Sequence, residues 1–318
     1  LGTIAVSGPD AVALLRRSFT NDVTALDVGR SQYTLCLDAA AGIIDDLLVY
    51  RLPDWYLVVP NAANTAAVTA RLLDASRTAG ADGEEADVEV AVRHLACVAV
   101  QGPDSVARLS AVADGAGLGA DPAALDYLEC TDLGEGQVLS RSGYTGEVGF
   151  EVFCRGDVAG RLWDLLAAEG VAPAGLGCRD TLRLEMGYPL HGNDISLDTD
   201  PVAAGLRWAV KPVGGAEEEG FVGEEAYLQL VESGPSHRLR GIRADGRRAP
   251  RAGDTVLADG SVLGTMTSGS FSPVKEAGIG LAYLAADVEP GTAVEVDVRG
   301  RPVSATVVKP PFVEARTR

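Results

Sequence analysis

The chain has 318 residues, of which 47% are hydrophobic and 23% charged, and its formal net charge at pH 7 is −18. This length is enough for a large buried core and favours two or three domains over one. The strong negative charge argues against nucleic acid or an anionic membrane surface as the main partner.

Cysteine usage and hydropathy indicate a cytoplasmic protein. The five cysteines are odd in number and none has metal-ligand spacing, so we predict reduced thiols and no disulfide framework. No apolar run approaches the roughly 20 residues of a membrane span, and the first residues lack a signal peptide's basic and apolar regions. The chain opens without Met inside a predicted strand, and we expect a native N-terminal segment upstream of Leu1.

An internal similarity links residues 6–15 with residues 100–109. Each stretch reads as a strand, a Gly-Pro-Asp turn and a helix. We predict strands at 32–37, 43–51 and 55–59 and a helix at 64–76 after the first copy, and strands at 137–141 and 149–154 and a helix at 157–169 after the second. Aligning 137–141 with 32–37 and 149–154 with 43–51 gives two related α+β units, each with helices on an antiparallel sheet. The alternative is chance, because Gly-Pro-Asp is a common turn.

The pattern changes near residue 237. Short strand-like runs are separated there by Gly, Pro and Asp turns, at 239–242, 255–257, 264–267, 279–283, 293–298 and 304–308. Such spacing is typical of a small all-β barrel or sandwich.

Common catalytic motifs are missing from the sequence. It contains no phosphate-binding loop, no Gly-x-Ser-x-Gly elbow and no histidine pair at metal spacing. Since there are only three histidines, carboxylates are better candidates than a histidine triad, and we predict no metal site.

Asp45 and Asp46 lie inside the predicted strand 43–51, between two apolar runs. Neighbouring strand residues point to opposite faces, so each carboxylate shares a face with apolar side chains. Burying a carboxylate is costly unless it is paired or hydrogen-bonded, which makes at least one of the two a candidate functional group. The alternative is an aspartate that caps nearby backbone groups.

Residues 142–151 place three glycines around an aromatic residue and two acids. Tyr144 can stack on a flat ring, and Glu151 can accept the paired N–H donors of a 2-amino-4-oxo pyrimidine ring. The alternative is a hairpin turn followed by an acid on an edge strand.

Arg179 and Arg183 are four residues apart in a predicted helix and share one helix face. Arg179, near the start of this helix, is suited to binding a substrate carboxylate. The alternative is pairing within the helix, for instance with Asp180 or Glu185.

Several segments in order cover essentially the whole chain: 20–23, 42–51, 61–64, 101–103, 143–151, 175–185, 192–195, 208–211, 267–273 and 309–312. Taken together they resemble the T-protein family of the glycine cleavage system, the tetrahydrofolate-dependent aminomethyltransferases. The resemblance implies an α+β fold with three domains in a cloverleaf: two related α/β sandwich units at 1–92 and 93–235, and a β-barrel-like domain at 236–318. Folate lies in the family's central channel.

The resemblance also implies the activity. A family member takes the aminomethyl group from the lipoylated H-protein and gives methylenetetrahydrofolate, ammonia and the reduced lipoyl arm. By position, Asp46 is the catalytic carboxylate, whose charge steers the reacting folate nitrogens and stabilises an iminium-like transition state. The implied folate-binding residues are Glu151 at the pterin edge, Tyr33, Asn61 and Tyr144 in the pterin pocket, and Arg179 at the carboxylate of the glutamyl tail. Asp45 is then a structural neighbour.

Two departures from the family pattern stand near these residues. Ala41 occupies the place of a usual glycine, and His191 that of a usual tyrosine. Two other functions stay open. One is a tetrahydrofolate-dependent demethylase with a different donor, and the other is a folate-binding protein without catalysis.

Overall fold

The computed structural model describes residues 1–80, 84–212 and 220–317. Their strands form one five-stranded sheet, one four-stranded sheet and one closed six-stranded barrel. The predicted α+β class and the C-terminal barrel are therefore confirmed.

The first sheet has the strand order β2-β3-β4-β1-β5, and every neighbouring pair is antiparallel. Two helices accompany it. The elements are β1 (Thr3–Ser7), α1 (Ala11–Ser18), β2 (Arg30–Leu37), β3 (Ile43–Arg51), β4 (Tyr56–Val59), α2 (Thr65–Ala75) and β5 (Glu89–Arg93).

The second sheet has the order β6-β9-β8-β7 and is also antiparallel. Its elements are β6 (Ala96–Gln101), α3 (Ser105–Ala116), β7 (Cys130–Gly134), β8 (Gln137–Ser140), β9 (Gly149–Cys154) and α4 (Gly156–Ala168).

The two sheets share one topology. The orders β2-β3-β4-β1 and β7-β8-β9-β6 are the same when β1 corresponds to β6. The turns that follow these two strands also match, since Gly8 and Gly102 take the positive φ values 118° and 124°, which glycine adopts readily. The predicted pair of related units is thus supported by the strand order as well as by the sequence.

The alignment of strands within these units was wrong by one strand. By strand order, β8 is the equivalent of β3, and β9 is the equivalent of β4. The sequence alignment had instead matched β8 with β2 and β9 with β3. The cause is β7, a short and largely polar strand, Cys-Thr-Asp-Leu-Gly, whose pattern does not stand out. Asp46 on β3 and Glu151 on β9 consequently lie on strands that are not equivalent.

Strand alternation divides each sheet into a helix face and an inner face. On β9, Phe150 and Val152 pack with the apolar residues of α3 and α4, while Phe153 contacts the first sheet. On β3, Leu47 and Val49 pack under α1 and α2. Asp46 and Glu151 therefore belong to inner faces.

The two sheets meet through these inner faces. Tyr50 and Leu57 of the first sheet are fully buried against Val138 and Phe153 of the second. Backbone hydrogen bonds join the sheet edges, among them Cys130 N to Gly29 O at 2.8 Å. The face-to-face packing leaves the space between the sheets for a ligand.

The chain then forms α5 (Leu176–Glu185) and α6 (Glu224–Ser233) before the barrel. The barrel closes in the order β10-β13-β12-β11-β14-β15, with β15 hydrogen-bonded to β10. Its strands are β10 (His237–Ala244), β11 (Thr255–Ala258), β12 (Ser261–Ser272), β13 (Ala277–Ala285), β14 (Ala293–Asp297) and β15 (Pro302–Val308). Each of the six strand-like runs in the sequence lies within or overlaps one of these strands.

Part of the segment between α5 and the barrel packs on the first sheet. Ile195, Phe221 and Tyr227 are buried against Leu35 and Ile43. The predicted boundaries at 92/93 and 235/236 stay a prediction.

A buried ion pair fastens α5 to the barrel and to the loop that follows α5. Arg183 Nη1 lies 2.7 Å from Asp194 Oδ2, and the two side chains are only 2% and 0% exposed. Arg183 also donates to Asp180 and to Ser268 of β12. Asp194 accepts from the Leu190 N–H at 2.9 Å, which fixes the loop at residues 188–191.

We expect Arg183→Met to lower the free energy of unfolding by about 3–5 kcal/mol, because the Asp194 charge stays buried without its partner. The exposed pair Arg77–Asp74, with side chains 75% and 66% exposed, provides the control. Arg77→Met should change stability by less than about 0.5 kcal/mol in the same urea titration. A loss below about 1 kcal/mol for Arg183→Met would contradict an anchoring role.

Candidate active site

A cavity of about 490 Å³ lies between the two sheets and is closed on one side by α5 and the loop at 188–191. Pockets of this size are typical of small-molecule sites. All six residues that the sequence singled out line it: Tyr33, Asp46, Asn61, Tyr144, Glu151 and Arg179.

Asp46 reaches this cavity from the inner face of β3. Tyr33 lies diagonally across the β2–β3 ladder on the same face, and its hydroxyl donates to Asp46 Oδ2 at 3.1 Å. Asn61 Nδ2 lies 3.0 Å from Asp46 Oδ1 and donates to it. The carboxylate is thus held in one orientation by two polar side chains.

Asp45 points to the helix face of the same strand and is fully buried. Its Oδ2 accepts from the backbone N–H of Asn61 at 2.9 Å. Its Oδ1 accepts from Asn61 Nδ2 at 2.8 Å and from Asn64 Nδ2 at 2.7 Å. Asn64 immediately precedes α2 and Asn61 precedes the short turn before it, so the Asp45 carboxylate is held by the segment that leads into α2.

Burial raises the pKa of both carboxyls. Burial and the neighbouring Asp45 charge raise the pKa of Asp46 to about 6, while the hydrogen bonds from Tyr33 and Asn61 oppose the rise. Burial likewise raises the pKa of Asp45, and the hydrogen bonds from Asn61 and Asn64 oppose it. Asp46 can therefore change its protonation close to neutral pH.

Glu151 lies on β9 of the second sheet, between Ala99 of β6 and Ser140 of β8. It faces the first sheet, which carries Asp46. It is 5% exposed, and Ser142 Oγ donates to its Oε2 at 2.7 Å. Burial raises the pKa of Glu151, and the Ser142 hydrogen bond and the Arg179 charge oppose that rise.

Aromatic rings and one cation form the remaining wall. The Arg179 guanidinium lies 4.9 Å from the centre of the Tyr144 ring. The rings of Tyr144 and Tyr188 stack with 5.6 Å between their centres, and the Tyr144 hydroxyl donates to Pro189 O. The cavity thus combines flat apolar surfaces, one buried acid, one partly buried acid and one arginine.

Comparison with known proteins identifies the architecture. A family described as the GCVT N-terminal domain matches residues 1–213, and one described as the glycine cleavage T-protein C-terminal barrel domain matches residues 237–314. The aminomethyltransferase of Mycolicibacterium paratuberculosis is 44% identical over all of this chain and 85% of its own length. An aminomethyltransferase of a Parafrankia species is likewise 44% identical, with the same coverage.

The chain belongs to the glycine cleavage T-protein family.

A solved structure gives the same result. The crystal structure of the glycine cleavage system aminomethyltransferase T from Bartonella henselae superposes with a TM-score of 0.89 and 34% identity, over 99% of this chain and 84% of that one. The predicted family is confirmed, and the chain is an enzyme of the aminomethyltransferase class.

The two arginines of α5 have different roles in this T-protein family member. Arg183 pairs with Asp180, as the structural alternative stated, and also with Asp194. Arg179 instead turns to the cavity. The sequence could not distinguish the two arginines, because they share one helix face. The docking of the barrel decides which of them is buried.

Sequence reasoning missed some residues of the site. Trp208 lines the cavity and stacks on Tyr33 with 5.1 Å between ring centres. Asn64 and His191 are hydrogen-bonded to each other beside Asp45. Trp208 and Asn64 lie in segments that carried the resemblance, but nothing in the sequence shows that they meet Tyr33 and Asp45.

The structure shows where the two departures from the family pattern, Ala41 and His191, lie. Ala41 has a φ of 65° and is fully buried, so the usual glycine would fit this left-handed turn with less strain. His191 lines the cavity.

Within residues 1–80, 84–212 and 220–317, no three His, Cys, Asp or Glu side chains form a group able to hold a metal ion. Within the same part of the chain, helices long and apolar enough to cross a bilayer are absent.

We expect Asp46→Asn to stabilise the protein at pH 8. The pKa of Asp46 is about 6 in the folded protein and about 3.9 in an unfolded chain, so the stability contribution of Asp46 is full below pH 4 and is lost by pH 6. Asparagine never bears the buried charge. The free energy of unfolding should rise by about 1–2 kcal/mol at pH 8, and the gain should shrink towards zero at pH 4.

Asp45→Asn is the matched control in the same denaturation series. Its carboxylate accepts three N–H groups, and an amide cannot accept them all. It should destabilise the protein by about 1–3 kcal/mol at pH 8. Equal losses for both variants would show that the Asp46 charge is a structural anion as well.

Proposed function

We propose that this protein is the aminomethyltransferase of a glycine cleavage system and that the cavity between its sheets binds tetrahydrofolate. One observation carries the proposal. Asp46, which is partly buried, and Glu151, which is buried, come from different sheets and line a single cavity together with Arg179.

The chemistry of the cavity fits a reduced folate. Glu151 supplies a buried acceptor for the adjacent N–H donors of the pterin ring. Tyr33, Asn61 and Tyr144 line the space for this ring, and the two tyrosines offer flat apolar surface. Arg179 supplies a positive charge for the carboxylate of the glutamyl tail.

Asp46 is the catalytic residue in this proposal. Its carboxylate places a negative charge where positive charge develops on the carbon being transferred, and burial strengthens that attraction. Tyr33 and Asn61 fix its position before the substrates arrive. No reorganisation of the carboxylate is then needed during transfer.

The partner that supplies the carbon is the lipoylated H-protein. The carbon leaves the sulfur of the aminomethylated lipoyl arm, its amino group is released as ammonia, and tetrahydrofolate becomes methylenetetrahydrofolate. All five cysteines are free, which supports a cytoplasmic location for this reaction.

A coupled assay with aminomethylated H-protein and tetrahydrofolate should show ammonia release by the wild-type protein. Asp46→Asn should lower turnover at least about a hundredfold, while folate affinity stays within about tenfold. Glu151→Ala should do the opposite and weaken folate binding in calorimetry by about 5–100-fold, because one buried partner of the ring is gone.

Four outcomes would contradict the proposal. Folate binding without ammonia release by the wild-type protein would favour a binding protein, and methyl transfer from a methylamine, methyl ether or methylthio donor would favour a demethylase. Equal losses of turnover and affinity in Asp46→Asn would make Asp46 a binding residue, and unchanged affinity in Glu151→Ala would remove Glu151 from the pterin site.

A further inference from the structure

A line of hydrogen bonds runs from His191 at the cavity wall to Asp45, the neighbour of Asp46 in β3. His191 Nε2 lies 3.3 Å from Ile43 O, and His191 Nδ1 lies 3.1 Å from Asn64 Nδ2. Asn64 Nδ2 also lies 2.7 Å from Asp45 Oδ1. His191 and Asn64 are 127 residues apart in the chain, so this line exists only in the folded protein.

The partners of His191 fix its tautomer. A carbonyl oxygen only accepts, so His191 Nε2 carries the proton that it donates to Ile43 O. Asn64 uses one N–H for Asp45 Oδ1 and has a second N–H for His191 Nδ1. His191 Nδ1 is therefore the acceptor in this arrangement.

This arrangement holds the Asn64 amide in one orientation. If the amide turned over, its oxygen would face the Asp45 carboxylate, and both groups would be acceptors. With His191 in place, the Asn64 N–H points at Asp45, which lies next to Asp46 in β3. The hydrogen bond stabilises the charged form of Asp45 and so eases the presence of two charges on consecutive residues.

We propose that His191 is a positioning residue: through Asn64 it fixes the Asp45 carboxylate, and through Asp45 it governs the protonation of Asp46. For catalysis this inference rests on the proposed function, in which Asp46 acts as an anion. The pair Asp45 and Asp46 titrates as a unit, and each donor to it favours the doubly ionised form. Loss of His191 should then make Asp45 harder to ionise and, because the Asp45 charge raises the pKa of Asp46, move the Asp46 midpoint to lower pH.

Other ionisable groups surround the site from each neighbouring element and stay unchanged in the test. They are Tyr33 on β2, Asp45 and Asp46 on β3, Tyr127 before β7, Tyr144 between β8 and β9, Glu151 on β9, Arg179 on α5, and Tyr188 before His191 in the loop. The expected change therefore follows from one substituted side chain.

Three variants separate hydrogen bonding from packing and charge. His191→Phe keeps a flat ring but has no donor or acceptor. His191→Gln has an amide oxygen for Asn64 and an N–H for Ile43 O, yet it never becomes cationic. Asn64→Leu breaks the same line at the next residue. His94→Gln, at an exposed histidine outside the cavity, is the control.

The measurement is the pH titration of the Asp46 carboxyl carbon by ¹³C NMR in the protein without substrates, assigned with Asp46→Asn. In the wild type we expect a midpoint of about 6. His191→Phe and Asn64→Leu should lower it by about 0.5 pH unit, because a less readily ionised Asp45 repels the Asp46 charge less. His191→Gln and His94→Gln should stay within about 0.2 unit of the wild type.

Two results would overturn the inference. The first is an unchanged midpoint in His191→Phe or, where that variant does not fold, in Asn64→Leu. The second is a shift in His191→Gln as large as in His191→Phe, which would assign the effect to the charge of histidine. In the transfer assay, the acid limb of kcat should shift by the same amount while KM for folate changes less than about threefold.

The NMR titration tests this inference independently of the proposed function. The NMR titration needs neither a donor nor turnover, so a protein that fails the transfer assay can still show the expected shifts. Conversely, normal aminomethyl transfer with an unchanged midpoint in His191→Phe and Asn64→Leu would leave the proposed function standing and remove His191 from its machinery.

Discussion

Two negative charges on consecutive residues of a buried strand are the constraint on which this structure depends. Asp45 and Asp46 point to opposite faces of β3, and Asn61 is hydrogen-bonded to both carboxylates, while their other donors differ. Asn61 and Asn64, in the segment before α2, supply three N–H donors to Asp45. Asp46 has fewer donors and opens into the cavity, where its charge is available to a substrate. One acid is thus satisfied by the fold, and the other is left for function.

The rest of the molecule keeps that second charge in place and away from bulk water. The second sheet covers the inner face of the first and contributes Glu151 from the opposite side. The barrel acts at a distance through Arg183 and Asp194, which hold the loop at 188–191 against the cavity. A residue of that loop, His191, then reaches back to the support of Asp45 through Asn64. Fold stability and electrostatics of the site are therefore connected by one set of buried polar contacts.

Much of this fold can be predicted from the sequence because its signals are local. The runs that became β10–β15 are short, apolar in part and separated by turn residues, and the two Gly-Pro turns mark equivalent positions in both sheets. The polar strand β7 carries no such signal, and its omission misaligned the units. The candidate site residues followed from the family resemblance, and the fold brings them to one cavity. Contacts between distant segments could not be predicted from the sequence. Arg179 and Arg183 lie on the same helix face, and only the docked barrel distinguishes their roles.

The central claim is that the ionised carboxylate of Asp46, held close to its titration point by burial and by Asp45, sets the rate of transfer. The pH dependence of the single-turnover rate, measured with aminomethylated H-protein and saturating tetrahydrofolate, tests it most directly. The account predicts a rate that rises with pH through a midpoint of about 6 in the wild type, and an Asp46→Asn variant that lacks this limb. A rate independent of pH between about 5 and 8, or the same limb in Asp46→Asn, would contradict it.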